Sequence, residues 1–299
     1  MPEASYLALH RSGQLASRVR QLVSQLSNCN LCPRRCGVNR FEGELGKCRT
    51  GRYAKVSSYG PHFGEESPLV GRSGSGTIFF ANCNLACVYC QNYDLSQLGH
   101  GLETCPSRLA QMMIELQNMR CHNINFVSPT HVIPQIVEAL VLAVGDGLKV
   151  PLVYNSGGYD EIATLELLDS VFDIYMPDAK YGDDETGLAL SGITGYFTAN
   201  RLALKEMYRQ VGDLVIENSI AQRGLLVRHL VLPNRLANTE KVMRFIADEI
   251  SRETYVNVME QYRPSYKAEN HPTLSRAVSV TEYRQAVQAA RSAGLLRFA

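Results

Sequence analysis

The sequence predicts an α/β fold built on parallel strands, and three observations carry that expectation. From residue 76 onward, short apolar runs alternate with stripes at helical spacing. The strand-like runs are followed by polar or glycine-containing segments, as at the C-terminal ends of parallel strands where sites collect. Finally, 299 residues at 45% hydrophobic content suffice for one large core, or a core with a small appended module.

The runs readable as buried strands are Thr77–Phe80, Asn123–Val127, Leu152–Tyr154, Phe172–Met176, Leu225–Leu232 and Tyr255–Met259. Between them, Ser107 after Pro106 is expected to cap a helix carrying Leu109, Met112, Met113 and Leu116. Pro134 opens one carrying Ile136, Val137, Leu140 and Val141. Further helices are expected near Glu161–Leu168, Asn200–Val211, Thr239–Ile250 and Thr281–Ser292, and a first one from about Gln14 to Leu26. Strands alternating with helices need parallel crossovers, hence an α/β barrel or an open doubly wound sheet.

Charge and cysteine usage bound the function. A formal net charge of +1 argues against nucleic acid or an anionic membrane as partner, and no apolar run approaches the ~20 residues of a bilayer span. Nine cysteines with no basic-then-apolar leader point to a reducing cytoplasm, with thiols free or metal-bound. Four of them, Cys29, Cys32, Cys36 and Cys48, form a Cys-rich front, which divides the chain into an N-terminal extension, residues 1–60, and a main domain, residues 61–299. Four thiols close a tetrahedral site by themselves, as structural zinc or as a second iron–sulfur cluster.

Cys83, Cys87 and Cys90 follow the first strand with CxxxCxxC spacing. Three thiols are one short of a closed site, which leaves one iron of a [4Fe-4S] cube open for chemistry; a zinc knuckle completed from elsewhere is the plainer alternative. Ser128-Pro129-Thr130-His131, Asn155-Ser156-Gly157-Gly158, Pro177-Asp178-Ala179-Lys180 and Glu260–Arg263 stand at the other strand ends, and the Leu225–Leu232 run carries Arg228 and His229 amid Val227, Leu230, Val231 and Leu232. The glycines of Gly74-Ser75-Gly76 and Gly157-Gly158 lack a phosphate-loop lysine or a full GxGxxG, and close backbone approach is their expected role.

The CxxxCxxC loop after a strand, with Tyr89 before its last cysteine, resembles the radical S-adenosylmethionine (radical SAM) superfamily. CNLCPRRCGVNR from Cys29, GSGTIFF from Gly74 and VRHLVLP from Val227 resemble homologues of pyruvate formate-lyase activating enzyme without an assigned reaction. The resemblance implies a partial (β/α)6 barrel with a small Cys-rich metal-binding extension. It implies that Cys83, Cys87 and Cys90 hold a [4Fe-4S] cluster, which cleaves S-adenosyl-L-methionine to a 5′-deoxyadenosyl radical that abstracts hydrogen. It further implies that Tyr89 lies by the adenine, that Asp178 and Lys180 hold ribose and carboxylate, and that Arg228 is a second carboxylate partner. A low-potential donor such as flavodoxin or ferredoxin would supply the electron; the substrate is a protein glycine of a glycyl-radical enzyme or a small molecule.

The chain departs from the activating enzymes at two strand ends. Ser128 and Thr130 replace a Gly-Gly-Glu element, and Asn155 and Ser156 replace an Asp-Thr-Asn-Gly turn, so these four are the candidate cofactor contacts there. His131 and Arg263 are the substrate-side candidates, the first as proton carrier and the second for a carboxylate or a backbone strand; a hydrogen-bonded loop histidine and a surface arginine are the plainer readings. A non-catalytic iron–sulfur or zinc protein is the rival from another class. Replacing Cys83, Cys87 and Cys90 together by Ala should leave iron and sulfide in metal analysis if the front cysteines hold a cluster, whereas residual zinc alone marks a structural site.

Overall fold

The computed structural model describes residues 3–299. Ten strands are present among them: β1 (Ala54–His62), β2 (Ser75–Phe80), β3 (Leu102–Thr104), β4 (Ile124–Val127), β5 (Leu152–Asn155), β6 (Ile174–Tyr175), β7 (Val215–Glu217), β8 (Ile220–Leu230), β9 (Tyr255–Met259) and β10 (Arg297–Phe298). Across the sheet they run β10-β9-β8-β6-β5-β4-β2-β1-β3, with β7 beside β8. The six central strands, β2, β4, β5, β6, β8 and β9, are all parallel and keep their chain order.

That unbroken order has no reversal point, which a doubly wound sheet requires. The two faces agree with it. Ile78, Phe80, Ile124, Phe126, Leu152, Tyr154, Leu225, Val227 and Val256 pack outward with the helices in the main core. Val153, Ile174, Met176 and Leu226 point the other way and enclose a small inner core around Leu69. Helices on one face and a lumen on the other make a partial α/β barrel.

The helices form where apolar stripes meet that outer face. Pro106–Asn118 buries Leu109, Met112, Met113 and Leu116, and Ile133–Gly145 buries Ile136, Val137 and Leu140. Ser107 is not the cap: Cys105 holds that position in extended backbone and Pro106 takes the first helical turn, where its missing N–H costs nothing. The other expected helices appear as Ile162–Glu166, Tyr196–Val211, Thr239–Glu249 and Val280–Ser292, the last opened by a capping box of Ser279 and Glu282. At the front, Gln14–Ser24 packs its buried Leu15 and Leu22 into the main core.

Some elements differ from the sequence expectation. β8 begins five residues early because Asn218 and Ser219, both at positive φ (50° and 66°), turn β7 back onto it as a hairpin. β6 retains only two residues, with Pro177 close behind and the Asp173 carboxylate accepting from Leu152 N and Ser5 N. β1 and β3 add an antiparallel edge that the sequence pattern did not reveal. The division drawn after residue 60 falls inside β1, which is paired with β2 through His62.

Gly76 shows why the Gly74–Gly76 stretch is small. A Cβ there would stand 2.7 Å from Asn123 O and 3.1 Å from Leu116 Cβ, so the 106–118 helix and β4 close directly on β2. Gly76→Ala should therefore lower unfolding free energy by about 1–3 kcal/mol, read as a lower denaturant midpoint at unchanged m-value.

Candidate functional site

Three segments fix the Cys83–Cys90 loop as it leaves β2. Ala86 N and Val88 N donate to Ser191 O and Leu190 O at the end of the Asp184–Ser191 helix, at 3.0 and 2.9 Å. Asn84 Nδ2 donates to Tyr159 O (2.8 Å), and Lys267 N from the segment after β9 donates to Val88 O (2.9 Å). Burial pushes the Cys83 thiol up to about 12, with Cys87 and Cys90 close enough to add to the rise. Burial also raises Cys87, and the nearby Lys180 pulls it back. Cys87 Sγ lies 2.9 Å from Ser191 Oγ and Cys90 Sγ 3.1 Å from Ser96 Oγ.

A chain of hydroxyls continues from Cys87. Ser191 Oγ meets Tyr181 OH at 2.7 Å, and Tyr181 OH meets Tyr89 OH at 2.6 Å. Tyr89 is buried, its ring edge-on to those of Tyr181 and Tyr262.

Asp178, Lys180 and Arg228 form one ion-paired group. Lys180 Nζ reaches Asp178 Oδ2 at 2.6 Å, and Arg228 Nε reaches Asp178 Oδ1 at 3.1 Å. Arg228 Nη2 also donates to Asn155 Oδ1 (2.7 Å). Burial alone would raise the Asp178 carboxyl, but Lys180 and Arg228 outweigh it and hold it below its ordinary value. Burial opposes the Lys180 charge in the same way, and Asp178 with Cys87 overrides it, pushing Lys180 up to about 12. Gly158, at φ +72°, keeps the turn beside this group thin, because a Cβ there would collide with Asp178 O.

Thr130 and Ser156 are drawn elsewhere. Thr130 Oγ1 donates to Asp160 Oδ1 (2.6 Å), Ser156 Oγ to Asp160 Oδ2 (2.7 Å), and Tyr154 OH joins them at 2.8 Å. Ser128 sits at φ 58° where β4 ends, its N–H donating to Asn155 O at 2.8 Å. His131 is buried, and its Nε2 lies 3.0 Å from Ala81 O, two residues before Cys83. Arg263 is exposed.

The front cysteines gather beside this site. Burial pushes Cys32 up to about 12, and Cys48, Cys29 and Cys36 all lie near enough to add to it. Three arginines tie this segment down. Arg34 donates to Asn84 O (2.6 Å) and Gly192 O (3.1 Å), Arg35 pairs with Glu161, and the buried Arg40 donates to His131 O (2.8 Å) and Cys48 Sγ (3.5 Å). Among the described residues, no three Cys, His, Asp or Glu side chains stand close enough to share one metal ion. A cubane holds its thiolates at separate iron corners, a wider triangle than one ion needs, and the neighbouring thiols of Cys83, Cys87 and Cys90, one buried and two half-buried, suit that donor set.

The chain is 35% identical over 280 residues to the uncharacterized protein MJ0674 of Methanocaldococcus jannaschii, a match covering 90% of this chain and 75% of that one. The chain belongs to the MJ0674 family. A second M. jannaschii relative, uncharacterized protein MJ0808, is 23% identical over 270 residues, 82% of this chain and 73% of that one. No protein-family model matches. Among solved structures, native anSMEcpe with bound AdoMet and Cp18Cys peptide aligns at TM-score 0.46 and 10% identity, over 73% of this chain and 60% of that one. TYW1 with a lysine-pyruvate adduct bound aligns at TM-score 0.41 and 8% identity, over 72% and 73%.

In this member of the MJ0674 family, sequence reasoning missed Asp160, Ser191, Tyr181 and the two acids Glu65 and Glu66. Glu65 and Glu66 precede β2 and come to the lumen side of Arg228, with Glu65 Oε2 3.7 Å from Arg228 Nη1. The adjacent acids in Gly64-Glu65-Glu66-Ser67-Pro68 were the one available signal.

Burial lowers His131 from its ordinary 6.5 to about 4, and His229 likewise. The unfolded chain therefore binds more protons between those values. The stability these neutral rings contribute is complete above about pH 6.5 and is lost as pH falls toward 4. Thermal melts should drop between about pH 7 and 5, by roughly 2 kcal/mol per histidine, and His131→Gln should flatten that slope.

Proposed function

We propose that the chain is a radical SAM enzyme in which Cys83, Cys87 and Cys90 hold a [4Fe-4S] cluster. The observation that carries the reading is the meeting, at the C-terminal side of the parallel strands, of three neighbouring thiols, one buried and two half-buried, and the Lys180–Asp178–Arg228 group. When bound, such a cluster would supply one electron to S-adenosylmethionine, giving the 5′-deoxyadenosyl radical that takes hydrogen from a substrate.

The chain's own residues then have separable tasks. Lys180, closest of the cations to Cys87, would balance the cofactor's carboxylate, and Asp178 would keep it oriented. Arg228 would serve as the second cation while holding Asn155 in place. Tyr89 and its tyrosine neighbours would shield the cluster side from water. His131 would act partly through the backbone, its Nε2 meeting Ala81 O while Nδ1 stays free for a proton-carrier role.

The motif resemblance to activating enzymes supports a protein glycine as hydrogen donor. A small-molecule substrate is favoured by the unpartnered luminal polar atoms of Glu66 and Asn125. The electron would come from a low-potential donor such as flavodoxin or ferredoxin in a reducing cytoplasm. The front cysteines would hold zinc or a second cluster.

The deciding experiment is anaerobic reconstitution followed by dithionite and S-adenosylmethionine, with 5′-deoxyadenosine as the product sought. Product is expected from the wild type and none from the triple Cys83, Cys87, Cys90→Ala variant; no product from protein shown to bind both cluster and cofactor sinks the reading. Lys180→Gln should weaken cofactor binding by about tenfold or more, the loss of a charge-assisted hydrogen bond being about 1.5–3 kcal/mol.

A further inference from the structure

The barrel lumen is more polar than packing requires. The segment from Glu65 to Val70 enters it, with Leu69 against Val153, Ile174, Met176 and Leu226 and with Leu69 O accepting from Asn123 Nδ2 at 2.9 Å. At the head of that segment, Glu66 Oε1 accepts from Asn257 Nδ2 (2.8 Å). Glu66 is only 7% exposed, yet its Oε2 is buried with no partner.

A second strand offers the same kind of group independently. Asn125 is 0% exposed, and neither its Oδ1 nor its Nδ2 has a partner. It shares a face of β4 with Asn123, two residues earlier, while Ile124 and Phe126 pack outward. Its register partner is Val153, which touches Leu69, so the amide faces the lumen that the Glu65–Val70 segment fills. A buried polar group without a partner costs about 1–3 kcal/mol, and folded proteins keep few of them.

Charge points to what would pair with them. The lumen side holds three carboxylates, Glu65, Glu66 and Asp178, against two cations, Arg228 and Lys180, both of which pair with Asp178. Neither cation stands within ion-pair distance of Glu66, so its second carboxylate oxygen is left without a donor.

We propose that the lumen binds a protonated nitrogen, a primary ammonium, with Glu66 as counter-charge and Asn125 as neutral hydrogen-bond partner. The proposal deepens the radical SAM reading and rests on it for the ammonium's carrier, a substrate amine. The unpartnered luminal atoms of Glu66 and Asn125 do not depend on that reading.

The test uses the full-length, cluster-reconstituted protein and n-butylammonium chloride as probe, with sodium chloride at equal ionic strength as control. Thermal melting should rise saturably with butylammonium and not with sodium. Glu66→Gln, which keeps an acceptor for Asn257, should weaken that response by about tenfold. Asn125→Leu should weaken it too, and should raise the melting temperature of the ligand-free protein by removing two unpaired polar atoms; a purely structural asparagine would lower it. Equilibrium dialysis of S-adenosylmethionine separates the carriers. If butylammonium binds without competing with the cofactor, the ammonium is a substrate's; if it competes and Glu66→Gln weakens both, the site is the cofactor's and the proposal is overturned. Equal responses to butylammonium and sodium, or a Glu66→Gln response equal to wild type, overturn the proposal and leave a lumen that holds only water. Because the butylammonium arm is read without cofactor cleavage, absence of 5′-deoxyadenosine with this response intact defeats the radical reading alone.

Discussion

The upper end of the barrel depends on one carboxylate serving two cations. Asp178 gives one oxygen to Lys180 and the other to Arg228, and the three side chains are only 14–19% exposed. Removing one member of such a group leaves a buried charge uncompensated, which costs far more than a surface pair returns. The backbone leaves Asp178 little choice of position. Its N–H donates to Ser156 O, its carbonyl accepts from Tyr196 OH and Asn200 Nδ2, and Ala179 N and Arg228 N lace the two strand ends together. From this point Lys180 reaches toward Cys87, and Arg228 reaches Asn155 and Glu65. The cysteine loop, the third-strand end and the luminal acids thus share one electrostatic anchor.

What the sequence revealed and what it hid follow from periodicity. Apolar runs such as Thr77–Phe80 are legible because a buried parallel strand needs several consecutive apolar residues; Asp178 and Lys180 are legible because they stand where such a run ends, and Arg228 because it interrupts one. Partners are not periodic. Thr130 and Ser156 are open cofactor candidates in the sequence, yet Asp160, thirty and four residues away, takes both hydroxyls. The β7–β8 hairpin hides because Asn-Ser is a weaker turn signal than Asn-Gly. Glu65 and Glu66 hide because their role depends on a connection that turns into the lumen, which no local pattern records.

His131 shows the same limit on chemistry. A histidine after a strand end invites a proton-transfer role, but burial keeps it neutral and its Nε2 meets Ala81 O. Meanwhile the backbone oxygen of His131 accepts from Arg40, so the residue joins the front segment to the root of the cysteine loop.

Arg34 makes that joining reciprocal. Its guanidinium lies in the CPRRC run and grips the carbonyls of Asn84 and Gly192, while the front segment's own apolar cluster is small, comprising Leu26, Cys29 and Leu31 with Val38. The two cysteine loops therefore meet through this guanidinium. By thermodynamic linkage, any binding at one loop that shifted Arg34 would act on the other by the same factor in both directions. The arginine between the cysteines stands where a change in one loop would first reach the other.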